Sequence, residues 1–268
     1  MARSSFSSLL IATAWLVSAS LVNAQPARVP LIEAVTSEDP GAVRALLDQN
    51  ADPNTAATDG TTPLHWAAHL NQDRIAAMLI AEGAEVGPTT RYGVAPIHLA
   101  ATNGSELMLR LLLEAGADAN RVSGDGETPL MTTARAGVVP AIGVLLDHGA
   151  DVDAVEGWRG QTALMWTASQ NNASAAGALL AGGANLHAVS EGGFTPLLFA
   201  VREGSLETLD TLLAAGANPD DALPNGTSAL VIATYNAQYD AAAKLLEAGA
   251  DPNAMGQGWA ALHQVIWT

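Results

Sequence analysis

Three groups of side chains in this sequence have types and spacings that could do chemistry. The first is a histidine in an apolar stretch, Thr62-Pro63-Leu64-His65-Trp66-Ala67-Ala68, with a second at His98. Two imidazoles could hold zinc or act as a base, but zinc would need one or two further ligands close by. The second group is Asp151, Asp153 and Glu156, spaced like the start of a calcium loop but lacking the acidic residue that closes one. The third is Arg91, Tyr92, Arg121, Arg135, Trp158, Arg159, Arg202 and Tyr235. Arg, Tyr and Trp are the residues that most often dominate interface energy. No stretch matches a P-loop, a dinucleotide fingerprint after a strand, a GxSxG elbow or HExxH. A non-enzyme without metal or cofactor is expected.

The elements that position these groups repeat. Leu31, Leu64, Ile97, Leu130, Leu164, Leu197, Leu230 and Leu262 recur at spacings of 33, 33, 33, 34, 33, 33 and 32 residues. A fixed period in this range marks a stacked repeat array. A first helix opens at Thr-Pro steps such as Thr62-Pro63, Thr128-Pro129 and Thr195-Pro196, where Thr can cap and Pro suits the first helical position. A second helix ends in apolar pairs such as Leu112-Leu113 and stops at Gly83, Gly116, Gly149, Gly183, Gly216 or Gly249, with Asn50 in that place first. At the position of His65 the other units carry Ile32, His98, Met131, Met165, Leu198, Val231 and His263, so the histidine is expected to be structural. His69, His148 and His187 fall at turns or helix ends and are expected to be solvated. Asp52, Asp118 and Asp251 share one turn slot, which predicts turn hydrogen bonds rather than ligands.

The TPLH-x-A-A core, the LL-x-x-GA-D-x-N tail and the period resemble the ankyrin repeat over about residues 30–268. The resemblance implies an all-α repeat solenoid, with helix-turn-helix units joined by β-hairpin loops. The expected units are 30–60, 61–93, 94–126, 127–160, 161–193, 194–226, 227–259 and a partial 260–268. It also implies that the histidine bonds the preceding turn and the Thr of its own motif. Departures are local: Ala95 lacks the Thr, Ala163 and Ala229 replace the Pro, and the long period adds a residue to Glu156-Gly157-Trp158-Arg159-Gly160. A partial last unit leaves the Leu245-Leu246 face short of cover, so either the chain is a fragment or something else covers its end.

Residues 1–24 read as a secretory signal peptide: Arg3, then an apolar run through Leu9–Val17 to Leu21, then Val22-Asn23-Ala24. Residues 25–29 are a short lead. Cleavage would remove Arg3 and leave 10 basic against 27 acidic residues, a formal charge of −17. One lysine and few arginines argue against nucleic acid, and no later segment is apolar enough to insert in a membrane. With no cysteine, an exported chain must be held by its fold alone. A monomer in the periplasm or outside the cell is expected.

The resemblance further implies that hairpin tips and first-helix ends form a concave face. The tips supply Arg91, Tyr92, Arg121, Ser123, Trp158, Arg159, Ser190, Glu191 and Asn225, and the helix ends supply Arg135, Arg202 and Tyr235 among others. The expected partner is a protein or peptide rich in carboxylates, paired by arginine forks. Against this stands the reading of the same arginines as ordinary surface, paired with Glu156, Glu191 or Glu203. Trp66 and Trp166, just after the TPLH position, are expected in the core. An alternative function is a targeting array for an enzymatic or other domain beyond residue 268.

Overall fold

The structure is a computed structural model that describes residues 30–256 and 259–260. The expected leader, the lead at 25–29 and residues 261–268 lie outside the described residues. Seven helix pairs follow one another: α1 (Pro30–Thr36) with α2 (Pro40–Asp48), α3 (Pro63–His69) with α4 (Asp73–Ala81), α5 (Pro96–Asn103) with α6 (Glu106–Glu114), α7 (Pro129–Ala136) with α8 (Val139–Asp147), α9 (Ala163–Gln170) with α10 (Ala173–Ala181), α11 (Pro196–Glu203) with α12 (Leu206–Ala214), and α13 (Ala229–Tyr235) with α14 (Tyr239–Glu247). First helices stack on first helices and second on second, so each pair packs chiefly against its neighbours. This is an all-α repeat solenoid.

The local chemistry explains these short helices. Thr62, Thr128, Thr162, Thr195 and Ser228 accept the backbone N–H three residues on at 3.3–3.4 Å. Each such cap is worth about 1 kcal/mol, which matters for helices of seven or eight residues that nucleate poorly alone. Second helices end at Asn50 (φ 62°) or at glycines such as Gly116 (φ 94°), where a left-handed residue lets the chain turn back. Packing supplies the rest. Leu31, Leu64, Ile97, Leu130, Leu164, Leu197 and Leu230 at the period position, and Leu79, Leu112, Leu145, Leu179, Leu212 and Leu245, are buried in one continuous apolar layer. A single pair could not bury that face; stacked neighbours do.

Polar braces cross from unit to unit. Asn54 donates to Gly83 O at 3.0 Å and accepts from Glu85 N at 2.8 Å, and Asn120 repeats this with Gly149 O and Asp151 N at 2.9 and 2.7 Å. Asp153 and Asp220 accept from Asn185 N and Asp251 N. Asp52, Asp118 and Asp251 each accept the N–H two residues on at 2.9 Å, the turn role expected of them. The hairpins have little ladder: β1 (Met255–Gly256) pairs with β2 (Trp259–Ala260), and single bridges join Val155 to Thr162 and Ala222 to Ser228.

His65 is structural, but one bond differs from expectation. Its Nδ1 accepts from Thr62 N at 3.1 Å and lies 2.8 Å from the Thr62 hydroxyl. That leaves the proton on Nε2, which donates to Val94 O at 3.0 Å. Val94 lies in the following hairpin, not the preceding turn, because the ring points along the stack toward the next unit. His98 repeats the pattern with Ala95 N at 2.9 Å and Arg121 O at 2.8 Å. In the fourth unit the Met131 sulfur takes the same back-bond from Thr128 N at 3.5 Å.

Candidate binding groove

Two residues after the period position, α3, α5, α7, α9, α11 and α13 carry Trp66, Leu99, Thr132, Trp166, Phe199 and Ile232. The expectation that Trp66 and Trp166 belong to the core holds in part: both pack against it, but they are half-buried and line clefts beside the hairpins. Phe199 and Ile232 at the same position are buried, so its apolar character serves the core in some units and a cleft floor in others. One cleft of about 300 Å³ brings Trp66, His69, Leu99 and Tyr92 together. Another of about 450 Å³ brings together Trp166, Trp158, Arg135 and Arg159.

The tips are held by one slot of the hairpin. Thr90 Oγ1 accepts from Tyr92 N and Val94 N, Ser123 Oγ from Glu127 N, and Ser190 Oγ from Phe194 N. Ser190, expected on the exposed tip, is therefore buried beneath it. Glu156 fills the same slot in the hairpin that carries the extra residue. Its buried carboxylate accepts from Trp158 N at 2.6 Å, Arg159 N at 2.9 Å and Gln161 N at 3.1 Å. A longer side chain with two acceptor oxygens closes a longer loop. Trp158 is left 71 % exposed at its tip. Glu156 was considered above as a calcium ligand or an arginine partner; sequence reasoning missed its anchoring role. The extra residue and the switch from Ser/Thr to Glu were the available clue.

The arginines divide into two classes. Arg135 pairs with Glu127 at 2.9 Å and lies 5.1 Å from the Trp166 ring centre. Arg202 pairs with Glu203 at 2.7 Å and sits 4.8 Å from both the Phe194 and Phe199 rings. Arg91 stacks over Tyr92 at 4.7 Å and bonds its hydroxyl. Arg91, Arg121 and Arg159, on three successive hairpins, form no ion pair among the described residues. Tyr92 and Tyr235 are well exposed, Tyr235 at the end of α13. The expected row of free arginine forks is thus confined to the tips, while the helix-end arginines are already neutralised.

Burial lowers the pKa of His65 and of His98, and the carbonyl that each bonds opposes the shift. His69, His148 and His187 are exposed. Among the described residues no three His, Asp or Glu side chains converge as metal ligands, and no helix is long and apolar enough to cross a membrane.

A one-dimensional stack of helix pairs joined by hairpins defines a repeat solenoid. A family model described as ankyrin repeats (3 copies) matches residues 13–90, 31–123, 97–190 and 165–256. The chain belongs to the ankyrin-repeat family. The crystal structure of the human ASB11 ankyrin repeat domain superposes with a TM-score of 0.69 at 27% identity, covering 75% of this chain and 90% of that one. Protein PhlB of Serratia liquefaciens is 47% identical over 53 residues, 20% of this chain and 23% of PhlB, so the match spans under a quarter of that relative. Ankyrin-repeat domains generally mediate protein–protein interaction.

Proposed function

We propose that this chain is an exported, monomeric, non-catalytic module that binds a partner protein or peptide along the groove between hairpin tips and first helices. The observation that carries this reading is the set Tyr92, Trp158 and Tyr235, large aromatics left mostly exposed at hairpin tips and a first-helix end. Unpaired Arg91, Arg121 and Arg159 beside them suit a partner with carboxylates. The test is capture of partners by the chain from Gln25, compared with a Tyr92→Ala, Trp158→Ala, Tyr235→Ala variant of equal helicity and melting temperature. A partner held by the wild type and lost by the variant is the expected result. Retention of the same partner by both would place binding elsewhere. Export is tested by sequencing the N-terminus of the secreted protein, which is expected to begin at Gln25.

A further inference from the structure

The 34-residue unit, which departs from the period, also borders the cleft of about 450 Å³. Its extra residue is built into a closed loop by the Glu156 carboxylate, and that loop holds Trp158 out over the cleft. The Trp158 ring lies close to Gly126 of the preceding hairpin, where a Cβ would stand 3.8 Å from its Nε1. The indole is thereby seated between two units. Trp166 forms the floor, and its own N–H is buried without an acceptor.

We propose that this slot between Trp158 and Trp166 is the specificity-determining pocket of the groove. Its occupant would be an aromatic or large aliphatic side chain of an extended partner segment, with an Asp or Glu one or two residues away pairing with Arg159. The proposal rests on the groove reading above and sharpens it. Charge selects the occupant. The Glu156 carboxylate is used by backbone N–H groups, and Glu127 is used by Arg135. Asp125 is the remaining negative group lining the slot, with Glu191 on the following hairpin beside Gly160, against Arg159 in the slot and Arg121 on the preceding hairpin. A cation is disfavoured because Arg135 already lies over the Trp166 face. Elsewhere the chain is strongly acidic, so a carboxylate-bearing segment finds attraction at few places and its register is set here. A pocket held rigid before binding loses little on ordering.

The experiment is selection of random twelve-residue peptides displayed on phage against the full chain, followed by affinity measurement of the synthetic consensus peptide. Enriched sequences are expected to place Trp, Phe, Tyr or Leu within two residues of Asp or Glu. Trp158→Ala should weaken the consensus peptide about 30-fold, as for an anchor residue. Arg159→Glu should weaken it further than Arg159→Ala, and added salt should weaken the wild type but not Arg159→Ala. Trp158 and Arg159 are exposed, so neither change threatens the fold. A basic consensus, or none, overturns the proposal. Binding lost on Arg91→Ala, Tyr92→Ala but kept on Trp158→Ala leaves the groove reading standing and removes the slot. Binding indifferent to every one of these variants removes both.

Discussion

The hairpins before α5 and α7 are tied to the preceding unit by imidazoles, whereas the hairpin before α9 is tied to itself by a carboxylate. In the first region His65 and His98 each reach into the next hairpin and hold a backbone carbonyl. In the second, Met131 occupies the histidine place and cannot do so, and Glu156 gathers three of the tip's own N–H groups where Thr90 takes two and Ser123 one. An imidazole tie fixes a hairpin relative to its neighbour. A carboxylate tie fixes the shape of the longer loop itself. The exposed indole of Trp158 belongs to the second design.

The first design should break most severely at Gly124. A Cβ there would stand 2.0 Å from Tyr92 O, a backbone atom that cannot move alone. Gly124→Ala is expected to cost about 3 kcal/mol, as overpacking does, read from urea unfolding. Glu156→Ala should break the second design at a cost of about 2 kcal/mol, since it removes charge-assisted bonds from N–H groups that water can partly replace. Hydrogen exchange at Trp158 and Arg159 should quicken while exchange in α3 and α5 stays unchanged.

Acid separates the two designs without mutation. The folded pKa of His65 and of His98 lies below the ordinary value of 6.5, chiefly through burial. The unfolded chain therefore binds more protons between the folded and unfolded values, and stability rises with pH in that window. The contribution is complete above about 6.5 and is lost as pH falls toward the folded values. Asp59 favours the charged form of His65, while Arg121 disfavours that of His98. Melting temperature should fall from pH 7 to pH 5. His98→Met, the residue found at Met131 and Met165, should flatten that dependence and cost about 1 kcal/mol at pH 7 through the lost tie. The smallest effect is expected at Arg135→Ala. Its ion pair and ring contact are part-exposed, so the loss should stay below about 1 kcal/mol.

The array was legible in the sequence because each unit repeats the same local decisions in phase. Thr caps, Pro steps, apolar pairs and terminal Gly all agreed, and the fold followed. The groove was less legible. Trp66 and Trp166 looked like core because an apolar residue recurs at their place, where Phe199 and Ile232 are buried, yet the two indoles pack on the core at one edge and open onto a cleft at the other. The partners of Arg135 and Arg202 depend on how long side chains fold across the surface, which the repeat register does not specify. Ser190 and Glu156 sit in a slot whose turn-closing role becomes visible only when the backbone N–H groups around it are located.

Because each unit is braced chiefly to the next, through links such as Asn54 to Gly83 O and Asn120 to Gly149 O, the stack behaves as a row of similar springs. Held at its ends and stretched, it should lengthen in discrete steps rather than at once. Each released unit adds about 110 Å of contour, the extended reach of 33 residues.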